Sequence, residues 1–242
     1  VEVAGYAPWR QDTAAYLRAV VEHVESKYGD QFFAYSLLCG TSTEWYTNSQ
    51  SNSEEARIRY HPLKECAFRE YTGDGGATLP SMETLEHTSD GLFRHPIADQ
   101  AALRYWRFHN NLIADTILYF ADAFQQVNHR RKLLGIFYGY LVALQGTRLL
   151  REGHMGYEKV FRCKDIDMIF APASYGDARV FTGASGFLNT IDSLDLHDKL
   201  YFHECDHRTS VAPRVIEGAS VVRWGDDDLD QSIMILRREF AM

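Results

Sequence analysis

Apolar residues recur at helical spacing over residues 14–28, where Leu17, Val20, Val21 and Val24 share a face and Gly29 and Asp30 close the pattern. A short apolar run at 32–38 then reads as a strand buried on both faces. Residues 40–95 are rich in Ser, Thr, Gly and charge, and read as a long excursion with some helix near 61–71. A long helical pattern follows over 97–127, carried by Leu103, Trp106, Leu112, Ile113, Ile117 and Phe120.

Beyond it the pattern predicts a strand at 133–137, a helix at 147–161, a strand at 167–170, a short helix at 186–191, a strand at 199–203 and a final helix at 229–241. Helices alternating with short apolar strands predict an α/β fold with a parallel sheet and crossover helices. No internal repeat or low-complexity linker divides the chain, so residues 1–242 read as a single domain. Four strands are half of what a complete (β/α)8 barrel needs. The pattern therefore leaves a truncated barrel or another α/β fold, such as a small open doubly wound sheet.

Composition narrows the function classes. The 242 residues carry 25 Lys and Arg against 33 Asp and Glu, a net charge of −8, so no basic stripe is available to offset phosphate repulsion. Nucleic acid is excluded as an expected partner. A membrane is excluded too, because no apolar stretch approaches the length of a transmembrane helix. With 14 Phe, 14 Tyr and 4 Trp the chain has a core to bury. Cys39, Cys66, Cys163 and Cys205 form no CxxC pair and read as small buried apolar residues. The chain opens at Val1 and closes inside the helical pattern Ile233, Leu236, Phe240, which reads as an excerpt of a longer protein. Such an excerpt is expected to fold poorly alone and to show little activity, and its compartment and oligomeric state stay open.

Polar chemistry is concentrated just after each strand. Thr43, Glu44 and Trp45 follow the first, Tyr138 and Tyr140 the second, Ser174 and Tyr175 the third, and Glu204, Asp206, His207 and Arg208 the fourth. Ligands of parallel α/β folds bind at the carboxyl ends of strands. Aromatic planes stack on pyranose faces, and charged forks take hydroxyls, so this set suggests a sugar site. Glu44 and Glu204 end two different strands, as two carboxylates flanking a glycosidic bond must.

A rival motif overlaps them. His203, Glu204 and His207 spell H-E-x-x-H, which binds zinc only when a helix puts both rings on one face, with Glu217 or Glu239 as a third ligand. The strand-like run 199–202 argues against that helix, and on an extended chain the two His lie about 13 Å apart. Weaker candidates read as structure. Gly73 to Gly76 form a turn, Ser185 lacks the strand a nucleophile elbow needs, and Asp226, Asp227 and Asp228 cap the last helix. Arg237, Arg238 and Glu239 read as a solvated face, and Tyr157 as a helix residue.

The segments GTSTEW, KLLGIFYGY, REGHMGYEKV, IDMIFAPASYGDAR and IDSLDLHDKLYFHECDHRT, in this order, resemble glycoside hydrolase family 42-like proteins of the β-galactosidase type. The resemblance covers roughly residues 9–241. It implies a retaining (β/α)8 barrel in which Glu44 is the acid/base and Glu204 the nucleophile, so the four strands are barrel strands 4 to 7. It implies a carbohydrate substrate, with Thr43, Trp45, Tyr138, Tyr140, His154, Tyr175, Asp206 and Arg208 as contacts, and neither metal nor organic cofactor. One departure stands out: the wider clan has Asn before the acid/base, and here that residue is Thr43. A non-catalytic sugar-binding relative therefore stays open. For catalysis Glu44 needs a raised pKa and Glu204 a lowered one, the latter held ionised by Arg208 or Tyr175.

Overall fold

In the computed structural model, residues 3–40, 43–46, 61–144, 147–175, 179–207, 209–211 and 228–242 are described. Helix α1 (Ala7–Tyr28) starts seven residues ahead of the 14–28 pattern, because Pro8 in its first turn has no N–H to leave unpaired and a φ already set for a helix. The run at 32–38 yields β1 (Ala34–Leu37), in which only Leu37 is buried. Burial on both faces, expected from its apolar composition, is therefore not found.

Inside the long excursion lie α2 (Pro62–Thr72), close to the expected 61–71, and α3 (Met82–Glu86), which the pattern missed. The left-handed Gly73 ends α2 and opens the expected turn, in which Asp74 accepts from the Gly76 amide at 2.9 Å. The long helix is α4 (Gln100–Asn128), and Ile97 stays outside it, 80% exposed.

Strand β2 (Leu133–Phe137) follows. The single helix expected over 147–161 is broken into α5 (Thr147–Arg151), a 3₁₀ turn at His154–Gly156 and α6 (Tyr157–Phe161). The break falls at Gly153, whose φ of +87° no helix accommodates. Strand β3 (Met168–Pro172) precedes α7 (Ile191–Asp195). The helix expected at 186–191 is displaced because Phe187 pairs antiparallel with Ala173 and holds that stretch extended. Strand β4 (Leu200–Glu204) and α8 (Leu229–Phe240) complete the described chain, with Asp228 capping α8 through the Gln231 amide at 2.9 Å.

The four strands are all parallel and lie in chain order, β1-β2-β3-β4. Parallel register puts Tyr35, Leu37, Leu134, Ile136, Ile169 and Tyr201 on one face, where they join Ala14 and Val21 of α1, Ile113 to Phe124 of α4, Phe161 of α6 and Leu194 of α7 in the main core. Each such buried side chain contributes roughly 1.5–3 kcal/mol. The opposite face carries Phe137, Phe170 and Phe202 in a row, with ring centres 5.2 and 5.5 Å apart. Leu200 and Phe202 on that face are 51% and 44% exposed, and Ser36 is exposed as well. Among the described residues, the helices that pack on the sheet sit on one side of it.

Candidate active site

The carboxyl ends of the strands gather two carboxylates on two differently built shelves. Glu44 follows β1 and pairs in a parallel bridge with Cys39. The peptides around it are turned by two left-handed residues, Thr43 at φ 70° and Trp45 at φ 61°. For a β-branched residue and an indole this conformation costs of order 1–3 kcal/mol each, and such strain clusters at functional sites. Gly40 permits the fold-back: its φ is +87°, and a Cβ there would lie 2.8 Å from the Tyr46 carbonyl oxygen.

Trp45 is buried, and its Nε1 donates to the Leu37 carbonyl at 3.0 Å, tying the shelf to the end of β1. His154 holds Glu44 from the other side. Its Nδ1 accepts from the Gly139 and Tyr140 amides at 3.1 and 3.2 Å, so the proton sits on Nε2, which donates to the Glu44 carbonyl at 3.0 Å. Complete burial pushes the pKa of His154 down to about 3, so the ring is a neutral brace. Tyr46 stacks on it at 4.9 Å, and Tyr138 lies tilted against it at 4.6 Å.

Tyr140 reaches the carboxylate itself, its hydroxyl donating to Glu44 Oε1 at 3.1 Å. Burial and the Glu44 charge raise its pKa, which keeps it a donor. Asn189 anchors this turn, its amide donating to the Tyr138 and Gly139 carbonyls at 2.8 and 3.0 Å.

Glu204 is the last residue of β4, and its carbonyl accepts from the Ala173 amide at 3.2 Å. Its pKa is raised, first by partial desolvation at the strand end and then by the charges of Asp206 and Glu44; the Arg179 guanidinium pulls it back down. The lowered value expected for Glu204 is therefore not found: desolvation at the strand end raises it first, and the charges of Asp206 and Glu44 add to the rise. Nor is Tyr175 its partner: that hydroxyl donates to Asp206 Oδ2 at 3.0 Å. Arg208, the other expected partner, lies outside the described residues.

Several expected contacts are therefore supports. Trp45, Tyr138 and His154 are buried, and their polar atoms bond backbone: Tyr138, for example, donates to the Gly153 carbonyl at 2.8 Å. Tyr140 is buried but keeps its hydroxyl on the carboxylate, while Thr43 and Tyr175 are exposed and Asp206 is half-buried. Three supporting residues escaped the sequence reading: Tyr46, Asn189 and Arg179. Arg179 lies within the block IDMIFAPASYGDAR, but no local rule singles out one buried Arg among the twenty-five cations.

The zinc-peptidase motif is not realised as a helix. Residues 200–204 are strand, and no helix includes 205–207. The 13 Å separation expected on an extended chain does not keep the two rings apart, because both reach one carboxylate. Both rings converge on Glu239 of α8, His203 Nε2 at 2.9 Å and His207 Nε2 at 3.5 Å. Among the described residues no group of three His, Cys, Asp or Glu is placed to hold a metal ion.

Arg237 is exposed, as expected of a solvated face, but Glu239 is buried and Arg238 bonds Ser185 and the Val180 carbonyl, so those two form a docking edge of α8. Tyr157 packs edge-on against Phe161, as a helix residue should. The cysteines are all free; Cys66 is exposed and the others half-buried, less buried than expected. Among the described residues no helix is long and apolar enough to cross a membrane. No family model matches the chain, and no curated protein or solved structure is significantly similar to it.

Proposed function

We propose that this chain is part of a (β/α)8 barrel, about strands 4 to 7, of a retaining glycoside hydrolase resembling β-galactosidases. The observation that carries the reading is the placement of Glu44 and Glu204 at the carboxyl ends of β1 and β4 in a parallel sheet wound in one direction. A doubly wound sheet reverses its strand order and covers both faces with helices. Here the order runs straight and one apolar face is left for further strands, which suits a barrel wall. Strand axes β1 and β4 stand three spacings apart, about 14 Å on a flat sheet. Their side chains nevertheless share an electrostatic environment, since Glu44 and Glu204 both act on Tyr140, which lies between them.

In this mechanism Glu204 attacks the anomeric carbon while Glu44 protonates the departing glycosidic oxygen. The carbon–oxygen bond breaks and a glycosyl ester forms on Glu204. Water then attacks the same carbon, Glu44 takes its proton, and the ester bond returns its electrons to Glu204. Tyr140 steadies Glu44, and Thr43 occupies the place beside the acid/base that faces the sugar. The reading needs no metal or organic cofactor.

The test is turnover of a nitrophenyl β-galactoside by the full-length protein, followed by trapping with a 2-deoxy-2-fluoro-galactoside. A glycosyl adduct on Glu204, found by peptide mass spectrometry, is expected. An adduct on another residue, or no turnover of β-galactosides or related β-glycosides, overturns the assignment; in the latter case a sugar-binding role without catalysis takes its place.

A further inference from the structure

Arg179 has no exposed surface, although it carries a permanent charge. Its Nε donates to the Ser174 carbonyl at 3.1 Å and its Nη2 to the Ala173 carbonyl at 2.7 Å. Nη2 also stands 2.6 Å from Asp206 Oδ1. The guanidinium lies 3.6 Å from the centre of the Tyr175 ring, and Tyr175 in turn donates to the second oxygen of Asp206 at 3.0 Å. Asp206 thus accepts the Tyr175 hydroxyl at one oxygen and faces the guanidinium charge at the other. Through these bonds the side chain joins the segment after β3 to the segment after β4, two residues beyond Glu204. Nη1 is buried with no hydrogen-bond partner.

A buried ion pair of this kind is poor value as a stabiliser. Desolvating the two groups costs several kcal/mol per ion, and well-packed apolar residues would serve stability as well or better. A buried cation with an incompletely satisfied fork points instead to a task at the site beside it. The groups facing Glu204 make the task specific. Glu44 from the β1 end, Asp206 from beyond β4 and Arg179 from beyond β3 act on Glu204, and Glu204 in turn on Tyr140 at the β2 end; Tyr175 bonds Asp206, and Glu239 of α8 takes His203 of β4 and His207 beyond it. Among the described residues Arg179 is a cation that acts on Glu204, against the anions Asp206 and Glu44.

We propose that Arg179 is a positioning residue for the strand-end carboxylates: it fixes Asp206 against Tyr175 and supplies the positive charge that lets Glu204 stand as the attacking anion. The proposal rests on the reading of Glu204 as nucleophile, and its test separates the two. The titration of the Glu204 carboxyl is followed by carbon-13 NMR in the full-length protein, assigned with Glu204→Gln, alongside the pH profile of kcat/KM. In Arg179→Gln the Glu204 titration moves up by about one pH unit or more, and the acidic limb of the profile moves with it. Arg179→Lys restores most of that titration, but the Lys ammonium cannot reproduce the planar fork, so KM stays raised.

If Arg179→Gln does not fold, Asp206→Asn serves. It removes one anion and leaves the guanidinium unneutralised, so the Glu204 titration must move down. An unmoved titration in folded Arg179→Gln, or an upward move in Asp206→Asn, overturns the proposal. A shifted titration in a protein without glycosidase activity supports the role of Arg179 and overturns the hydrolase reading; activity with an unmoved titration does the reverse.

Discussion

The braces described around Glu44 are neutral groups: a His ring that stays unprotonated, a Tyr hydroxyl, an indole N–H and a backbone turned by two left-handed residues, with the Arg148 charge acting on His154 and Tyr46. Around Glu204 it uses charges: Arg179 paired with Asp206, and Glu44 as a second anion. The first shelf is set by packing and hydrogen-bond geometry, which salt screens little. The second is set by electrostatics, so the charge state of Glu204 depends on its neighbours. This division of labour suits a pair of carboxylates with different tasks.

The sharpest way to break the comparison is to remove each carboxylate. Glu204→Ala is expected to lower turnover of an activated β-galactoside by more than Glu44→Ala, whose loss should be about 10²–10⁴-fold, the usual worth of a general acid. Added azide should rescue both, giving a product of retained configuration from Glu44→Ala and inverted configuration from Glu204→Ala. The same configuration from both variants would sink the role assignment.

Next in size is Trp45→Ala. Deleting a buried indole that packs on Phe120 should cost about 3–5 kcal/mol in urea unfolding and loosen the Glu44 shelf, with little effect on the Arg179–Asp206 pair. A loss below about 1 kcal/mol would show that the shelf does not rest on the indole.

The neutral shelf also predicts a pH dependence. The folded pKa of His154 lies near 3, below its ordinary value of about 6.5. Above pH 6.5 neither state binds this proton and stability is flat. Between pH 6.5 and about 3 only the unfolded chain binds it, so stability falls by about 1.4 kcal/mol per pH unit as the pH drops. His109, pushed down by burial and by Lys64, adds a loss of the same sign. Urea midpoints at pH 7, 6 and 5 measure the slope, and His154→Gln should reduce it. An unchanged slope in that variant would assign the acid sensitivity elsewhere.

The smallest effect sharpens the contrast. Tyr140→Phe removes one hydrogen bond to Glu44 and should cost about 1–2 kcal/mol of stability. It should also change the acid/base limb of the rate profile more than the limb governed by Glu204. Equal movement of both limbs would mean that the two shelves act as one.

Much of the fold was legible along the chain because burial imposes a period. Apolar spacing located α1, α4 and α8, and short apolar runs located all four strands to within a few residues. Errors came where one residue overrode the pattern, as at Gly153, where the 147–161 helix breaks, or where a distant partner captured a segment, as Ala173 does with Phe187. The candidate site was partly legible for the same reason: polar residues directly after an apolar run stand at a strand end, which marked Glu44 and Glu204.

The residues along the chain sufficed for the long helices, the strands, their alternation and the strand ends on which chemistry can sit, because these follow from backbone propensity and local burial. Tertiary packing alone put the strands in chain order, made Trp45, Tyr138 and His154 supports of the site from within the core, and set Arg179 against Asp206 beside Glu204. A hydrogen bond or an ion pair joins groups far apart in the chain, and its strength depends on the water excluded around it. Neither property is written in the residues next to it.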